Sequence, residues 1–352
     1  MKWNIFFTTE GTEDTEGDFL CVLCALCGPN KGLDQSHYHR DRHYREGQAR
    51  LIAHSFEIAL CNEVLQPLPF AEQCRLAAAM GYDGLEVAPF TLAADPLDIS
   101  DADAAGFARI AADHGLRIYG LHWLLVAPGG LSIVSPDTAV RGRTVGVMRR
   151  LVELSALMGG RYLVHGSPAQ RSVPAGATRA EALVRATECF ARAADAARDC
   201  GVVYCIEPLS TRETDLINTV AEAVEIVTAV DSPALKTMID CSAAGQMETE
   251  SIPALMGRWM PSGYIAHVQA NDPNRRGPGQ GALRFAPIVE TLLAMRATGH
   301  YDGIVAVEPF DYVPDGIGCA ALAIGYLRGI VEGLAVTGGP RPDAVHAPQV
   351  AK

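Results

Sequence analysis

From about residue 55 onward the chain alternates a short apolar run with a longer amphipathic stretch eight times, without a break in rhythm. The runs read FEIALCNEV, GLEVA, RIYGLHW, RYLVHG, VVYCIE, LKTMID, IAHVQ and GIVAVE. Short, near-continuous apolar runs are the pattern of parallel strands buried on both faces. The stretches between them carry helix signals. Ser100 has Asp103 three residues on, Thr178 precedes Glu181 and Thr219 precedes Glu222, as in capping boxes, and glycines such as Gly81 and Gly201 close the helices. Eight strand–helix units predict an α/β fold, a single (β/α)8 TIM barrel, which typically needs ~250 residues. An open doubly wound sheet is disfavoured because no Gly-rich loop follows the first strand. The run Gly277-Pro278-Gly279-Gln280-Gly281 follows the seventh strand instead, without an acidic ribose partner.

The barrel domain is expected over residues 55–337. Residues 1–54 differ in kind: an acidic repeat around residues 8–18, then FLCVLCALCG, then a polar segment with His37, His39 and His43. Cys21, Cys24 and Cys27 match no standard zinc spacing, and the expectation is a disordered extension. Residues 338–352 read as a disordered tail. Ten scattered cysteines point to a reducing cytoplasm rather than a disulfide scaffold. A net charge of −12 argues against nucleic acid as partner. No apolar run is expected to reach the ~20 residues that span a bilayer.

Four runs in the second half end on oxygen-bearing side chains: Glu207, Asp240, Gln269 and Glu308, separated by 33, 29 and 39 residues. Parallel strands joined through helices point their carboxyl ends the same way, so these groups can converge at one rim. Three carboxylates and an amide oxygen form a hard donor set suited to Mg²⁺ or Mn²⁺. His267 and Gln269 share a strand face; either could be the ligand, the other lying one layer deeper, and Gln269 is nearer the rim. His122, His165, Glu86 and Glu63 close the third, fourth, second and first strands and are candidates for substrate contact, as is His267. Arg275 and Arg276 could clamp an anionic or hydroxyl group. Ser167 lacks the nucleophile-elbow context of a serine hydrolase.

The segments IEPLSTRE, MIDCSAA, HVQANDPNRRGPGQG and AVEPF together resemble the xylose isomerase-like TIM barrel superfamily, in its ketose 3-epimerase and hydroxypyruvate isomerase branch, over roughly residues 56–334. The resemblance implies one divalent cation, Mn²⁺ or Mg²⁺, held by Glu207, Asp240, Gln269 and Glu308, with Glu207 and Glu308 moving the proton. It also implies that Glu213 and Arg275 bind substrate. Two positions depart from the epimerase pattern: Gln269 stands where His is usual, as in the hydroxypyruvate isomerases, and Ala243 replaces a substrate-binding His. The implied activity is a metal-dependent sugar or keto-acid isomerase or epimerase working through a cis-enediolate. A metal-dependent lyase or decarboxylase acting on an oxidised sugar is the alternative. A nuclease of the AP-endonuclease type would need more rim histidines and a basic face. The expected partner is a small carbohydrate or keto acid, with no nucleic acid or membrane, in a cytoplasmic protein compatible with a homo-oligomer.

Overall fold

The eight apolar runs form eight parallel strands: β1 Ile58–Cys61, β2 Gly84–Val87, β3 Arg117–Leu121, β4 Tyr162–His165, β5 Val203–Ile206, β6 Leu235–Asp240, β7 Ile265–Ala270 and β8 Val305–Val307. Each pairs with its sequence neighbour, and β8 returns to β1 through Ile58↔Val305 and Leu60↔Val307, closing the barrel. The structure, a computed structural model, describes residues 56–336. The expectations for residues 1–54 and 338–352, including the cysteine–histidine segment, lie outside the described residues.

The helices are α1 Phe70–Met80, α2 Asp101–Asp113, α3 Thr138–Leu157, α4 Arg179–Cys200, α5 Val220–Val230, α6 Cys241–Met247, α7 Ile252–Trp259, α8 Phe285–Ala297 and α9 Gly316–Val336. Reciprocal capping boxes form at Ser100/Asp103 and Thr178/Glu181. At Thr219 only half of the box forms. The hydroxyl accepts from Glu222 N, but the Glu222 carboxylate turns to Asn218 N and Arg179. The helix expected after the sixth strand near residues 247–258 is α7, and a further short helix, α6, precedes it directly at the end of β6. The expectation that no apolar run is long enough for a bilayer is also corrected. Within α9, Gly316–Ala335 passes by length and a mean hydropathy of 1.5. Here it is the last helix of the barrel, packed on α1 and α8.

Inside the barrel, alternate residues of each strand face inward. Gly120 on β3 matters to this packing: a Cβ there would lie 2.5 Å from the Tyr162 ring. The bare backbone therefore lets Tyr162 reach across the interior and donate to Glu86 Oε2 at 2.5 Å.

Candidate active site

Glu207, Asp240 and Glu308 stand at the carboxyl ends of β5, β6 and β8, 5%, 3% and 3% exposed. One oxygen of each lies within 4.8 Å of the others. Asn271, two residues beyond Gln269 and on the same face, donates from Nδ2 to Asp240 Oδ2 at 2.6 Å and to the Glu308 carbonyl at 3.1 Å. Ala243 N donates to the other Asp240 oxygen at 2.6 Å. His122 bridges Glu63 and Glu308, with Nε2 2.9 Å from Glu63 Oε2 and Nδ1 3.0 Å from Glu308 Oε1. Gly166 leaves room for Glu207, since a Cβ there would sit 2.0 Å from Glu207 Oε2. The buried Arg171 holds the Glu207 carbonyl through Nη1 at 2.6 Å.

Three buried acids this close resist ionising together. Burial and the Glu308 and Asp240 charges push the Glu207 carboxyl well above the usual carboxylate range. Burial lifts Asp240 to about 7 against its backbone and Asn271 hydrogen bonds. Burial lifts Glu308 to about 8 against the opposing pull of His122. For His122, burial acts downward, but Glu63, Glu308 and Glu86 outweigh it and hold the ring well above the usual imidazole range.

A second polar layer lies beneath. Glu86 accepts from Gln269 Nε2 at 2.7 Å and Cys61 Sγ at 3.5 Å, besides Tyr162. His267 Nε2 sits 2.8 Å from Glu86 Oε2, outside hydrogen-bonding alignment, and its ring stacks on Tyr162 at 4.2 Å. Burial acts upward on Glu86, yet His267, His122 and Tyr162 bring it down to about 2. Two expectations of substrate contact are thereby corrected. His267 and Glu86 are fully buried one layer below the rim, because two residues of strand displace a side chain by ~6.6 Å along the barrel wall. The expectation for His165 is corrected too. Tyr162 reaches inward from β4, so alternation turns His165 outward, where Nδ1 meets Tyr204 Oη at 2.7 Å and the ring packs edge-on against Phe190 of α4. His122 is at the rim, but both ring nitrogens are engaged by carboxylates, so it orients Glu308.

Glu213 and Arg275 border the space above the carboxylates, with Leu209, Ser242 and Phe310. Ser210 N and Oγ both donate to Glu213 Oε2, at 3.1 and 2.7 Å. The Arg275 guanidinium lies 4.9 Å over the Phe310 ring. Arg276 turns away to Asp311 at 3.1 Å.

The donor set fits a hard cation. Gln269 Oε1 and Glu308 Oε2 are buried with no hydrogen-bond partner, and Asp240 and Gln269 are register partners on adjacent strands. Cys61, Glu63, His122 and Glu308 form another close group, but both His122 ring nitrogens are already engaged by Glu63 and Glu308 there.

Comparison with known proteins agrees with this architecture. Residues 74–329 match the xylose isomerase-like TIM barrel family. The chain belongs to that family. It is 30% identical to a D-psicose 3-epimerase of Agrobacterium fabrum over 250 residues, 69% of this chain and 78% of that one. It is 28% identical to an L-ribulose 3-epimerase of Mesorhizobium japonicum over 199 residues, 56% of this chain and 65% of that one. A D-psicose 3-epimerase of Ruminiclostridium cellulolyticum is 34% identical over 126 residues, 36% of this chain and 41% of that one. The matched stretches thus span less than two thirds of the Ruminiclostridium and Mesorhizobium relatives. Among solved structures, an L-ribulose 3-epimerase superposes with a TM-score of 0.68 at 20% identity, covering 84% of this chain and all of that one. A 3-keto-D-glucoside 4-epimerase from E. coli gives 0.67 at 19% identity, over 78% of this chain and all of that one. Both show the shared fold.

In this xylose isomerase-like barrel, sequence reasoning missed Asn271, Arg171, Tyr162, Trp123 and Phe310. Asn271 and Phe310 follow Gln269 and Glu308 by two residues, so strand alternation carried a signal for both. Arg171 lies beyond β4 in a loop, where no periodicity points to it.

Proposed function

We propose that this protein is a divalent-metal-dependent sugar epimerase or isomerase of the ketose 3-epimerase type. The observation that carries this reading is the convergence of Glu207, Asp240 and Glu308 within 4.8 Å at one rim. Relatives named D-psicose and L-ribulose 3-epimerase support it. Glu207, Asp240, Gln269 and Glu308 would hold Mn²⁺ or Mg²⁺. The cation would polarise a substrate ketone and stabilise the charge left on its oxygen when the neighbouring carbon loses a proton.

The chain's own residues do the rest. Glu207 and Glu308 stand on well-separated parts of the wall, so one removes a proton from a carbon held between them and the other returns one. His122 keeps Glu308 Oε1 engaged and leaves Oε2 free for the reacting side. Asn271 fixes Asp240. Glu213 and Arg275 would bind substrate hydroxyls, and Phe310 would help exclude water. The proposed substrate is a small neutral carbohydrate.

The test is incubation of the Mn²⁺-loaded protein with a panel of ketoses in heavy water. Deuterium at C3 of the recovered ketose pair is the expected result. Deuterium appearing only in an aldose product would instead mean aldose–ketose isomerisation, and carbon–carbon cleavage would mean a lyase.

A further inference from the structure

The carboxylate site is the inner end of a longer cleft. Two small spaces of about 20 and 50 Å³ lie against the carboxylates. Past Phe310 the cleft widens into a cavity of about 360 Å³, bordered by Glu63, Phe90, Trp123, Arg275, Phe310 and Tyr312. Phe310 borders all three spaces, and Trp123 and Arg275 each border the outer one and one of the inner ones, so the spaces adjoin. Trp123 meets it edge-on at 6.1 Å and 81°, and Arg275 covers it. Trp123 and Arg275 hold φ angles of 52° and 72°. A left-handed backbone costs a non-glycine residue of order 1–3 kcal/mol and persists chiefly where a site requires it.

The outer cavity has a definite chemistry. Four aromatic side chains, Phe90, Trp123, Phe310 and Tyr312, border it and supply apolar surface, to which the C–H face of a sugar ring is complementary. Glu63 adds a directed acceptor: its Oε2 is held by His122, while Oε1 is buried without a partner. A buried acceptor left unpaired costs about 1–3 kcal/mol, which a ligand hydroxyl would recover. The same carboxylate repels a phosphate, and among the described residues Arg275 is the only Lys or Arg on this border. The volume falls at the lower end of the ~300–1,000 Å³ of small-molecule sites. An open-chain ketose held at the carboxylates would leave this cavity filled with water.

We infer that the cavity is a second sugar subsite, and that the substrate is a ketose carrying a glycosyl group, whose neutral pyranose ring stacks there and gives a hydroxyl to Glu63. This rests on the sugar epimerase reading above. Phe90 and Tyr312 touch only the outer ring and so set specificity without entering the chemistry.

The test compares D-fructose with maltulose and isomaltulose, which carry a glucosyl group on O4 and O6 of the same ketose, using the full-length Mn²⁺-loaded protein. The readouts are C3 hydrogen exchange in heavy water and binding by calorimetry. At least one glucosyl-fructose is expected to exceed D-fructose by about tenfold in kcat/KM, as aromatic stacking plus apolar burial would supply. Phe90→Ala and Tyr312→Ala should each remove about three- to tenfold of kcat/KM and of affinity for that disaccharide, leaving D-fructose within about twofold. D-fructose turned over as well as or better than both disaccharides would overturn the subsite and leave the epimerase reading intact. Equal losses on all three sugars in both variants would also overturn it. Exchange with none of the three would bring down both.

Discussion

Gln269 presents its amide in one orientation. Glu86 beneath it is held ionised, with its carboxyl at about 2, and an ionised carboxylate only accepts. The Gln269 NH₂ is therefore the end held by Glu86, at 2.7 Å, and Oε1 is left buried without a hydrogen-bond partner. Replacing this oxygen donor with imidazole, as Gln269→His, is expected to shift metal preference from Mg²⁺ and Mn²⁺ toward Co²⁺ or Zn²⁺. Thermal shift across a metal series reads this directly, and an unchanged series would remove Gln269 from the ligand set. Glu207→Gln and Glu308→Gln keep an oxygen at the rim but cannot take a proton. Each is expected to lower turnover by at least ~10³-fold in a folded protein, through loss of acid–base action together with altered metal geometry. Steady-state kinetics on metal-loaded variants decides it, and near-wild-type turnover in either would end the two-glutamate scheme.

At the scale of elements, the ends of β5, β6 and β8 crowd three carboxyls whose pKa values all rise on folding, Asp240 to about 7 and Glu308 to about 8. A raised carboxyl favours its protonated form in the fold. The metal-free protein therefore loses stability as pH rises from the ordinary carboxylate value of ~4 through 7 and 8. A cation must displace those protons, so its affinity should climb over the same window. Melting curves at about pH 6 and pH 8 should show a larger Mn²⁺-induced stabilisation at the higher pH. A smaller one would contradict the clustering of acids. Elsewhere, Thr178 accepts from Glu181 N at the start of α4, and Thr178→Ala should cost ~1 kcal/mol in denaturant unfolding.

The elements also explain what could be read from the chain. Glu207, Asp240 and Glu308 were legible because each is a charged residue ending an apolar run, a placement that only a rim tolerates. His165 was misread because YLVH is apolar on both faces of a parallel strand, so the run hides which residues point inward. The depth of His267 followed from parity, but its Glu86 partner comes from β2, a pairing that no local pattern encodes. Helix α6 was missed because its seven residues, Cys241–Met247, are too short to show a helical period.

At the scale of the whole molecule, residues 56–336 already close the barrel, from β1 pairing with β8 to the packing of α9 on α1 and α8. Deleting residues 1–50 should therefore leave the melting temperature and turnover unchanged. An insoluble or inactive truncation, under conditions where the full chain works, would show that the segment contributes to the fold. The layer of Glu86, Tyr162 and His267 has a kinetic meaning as well. It fills the barrel below the rim, so an ion and a sugar bound as proposed would both enter from the rim side. A seated sugar would then bar the ion's exit, and stripping by a chelator should slow as ketose concentration rises. Loss of the metal would then fall to the empty enzyme, between turnovers.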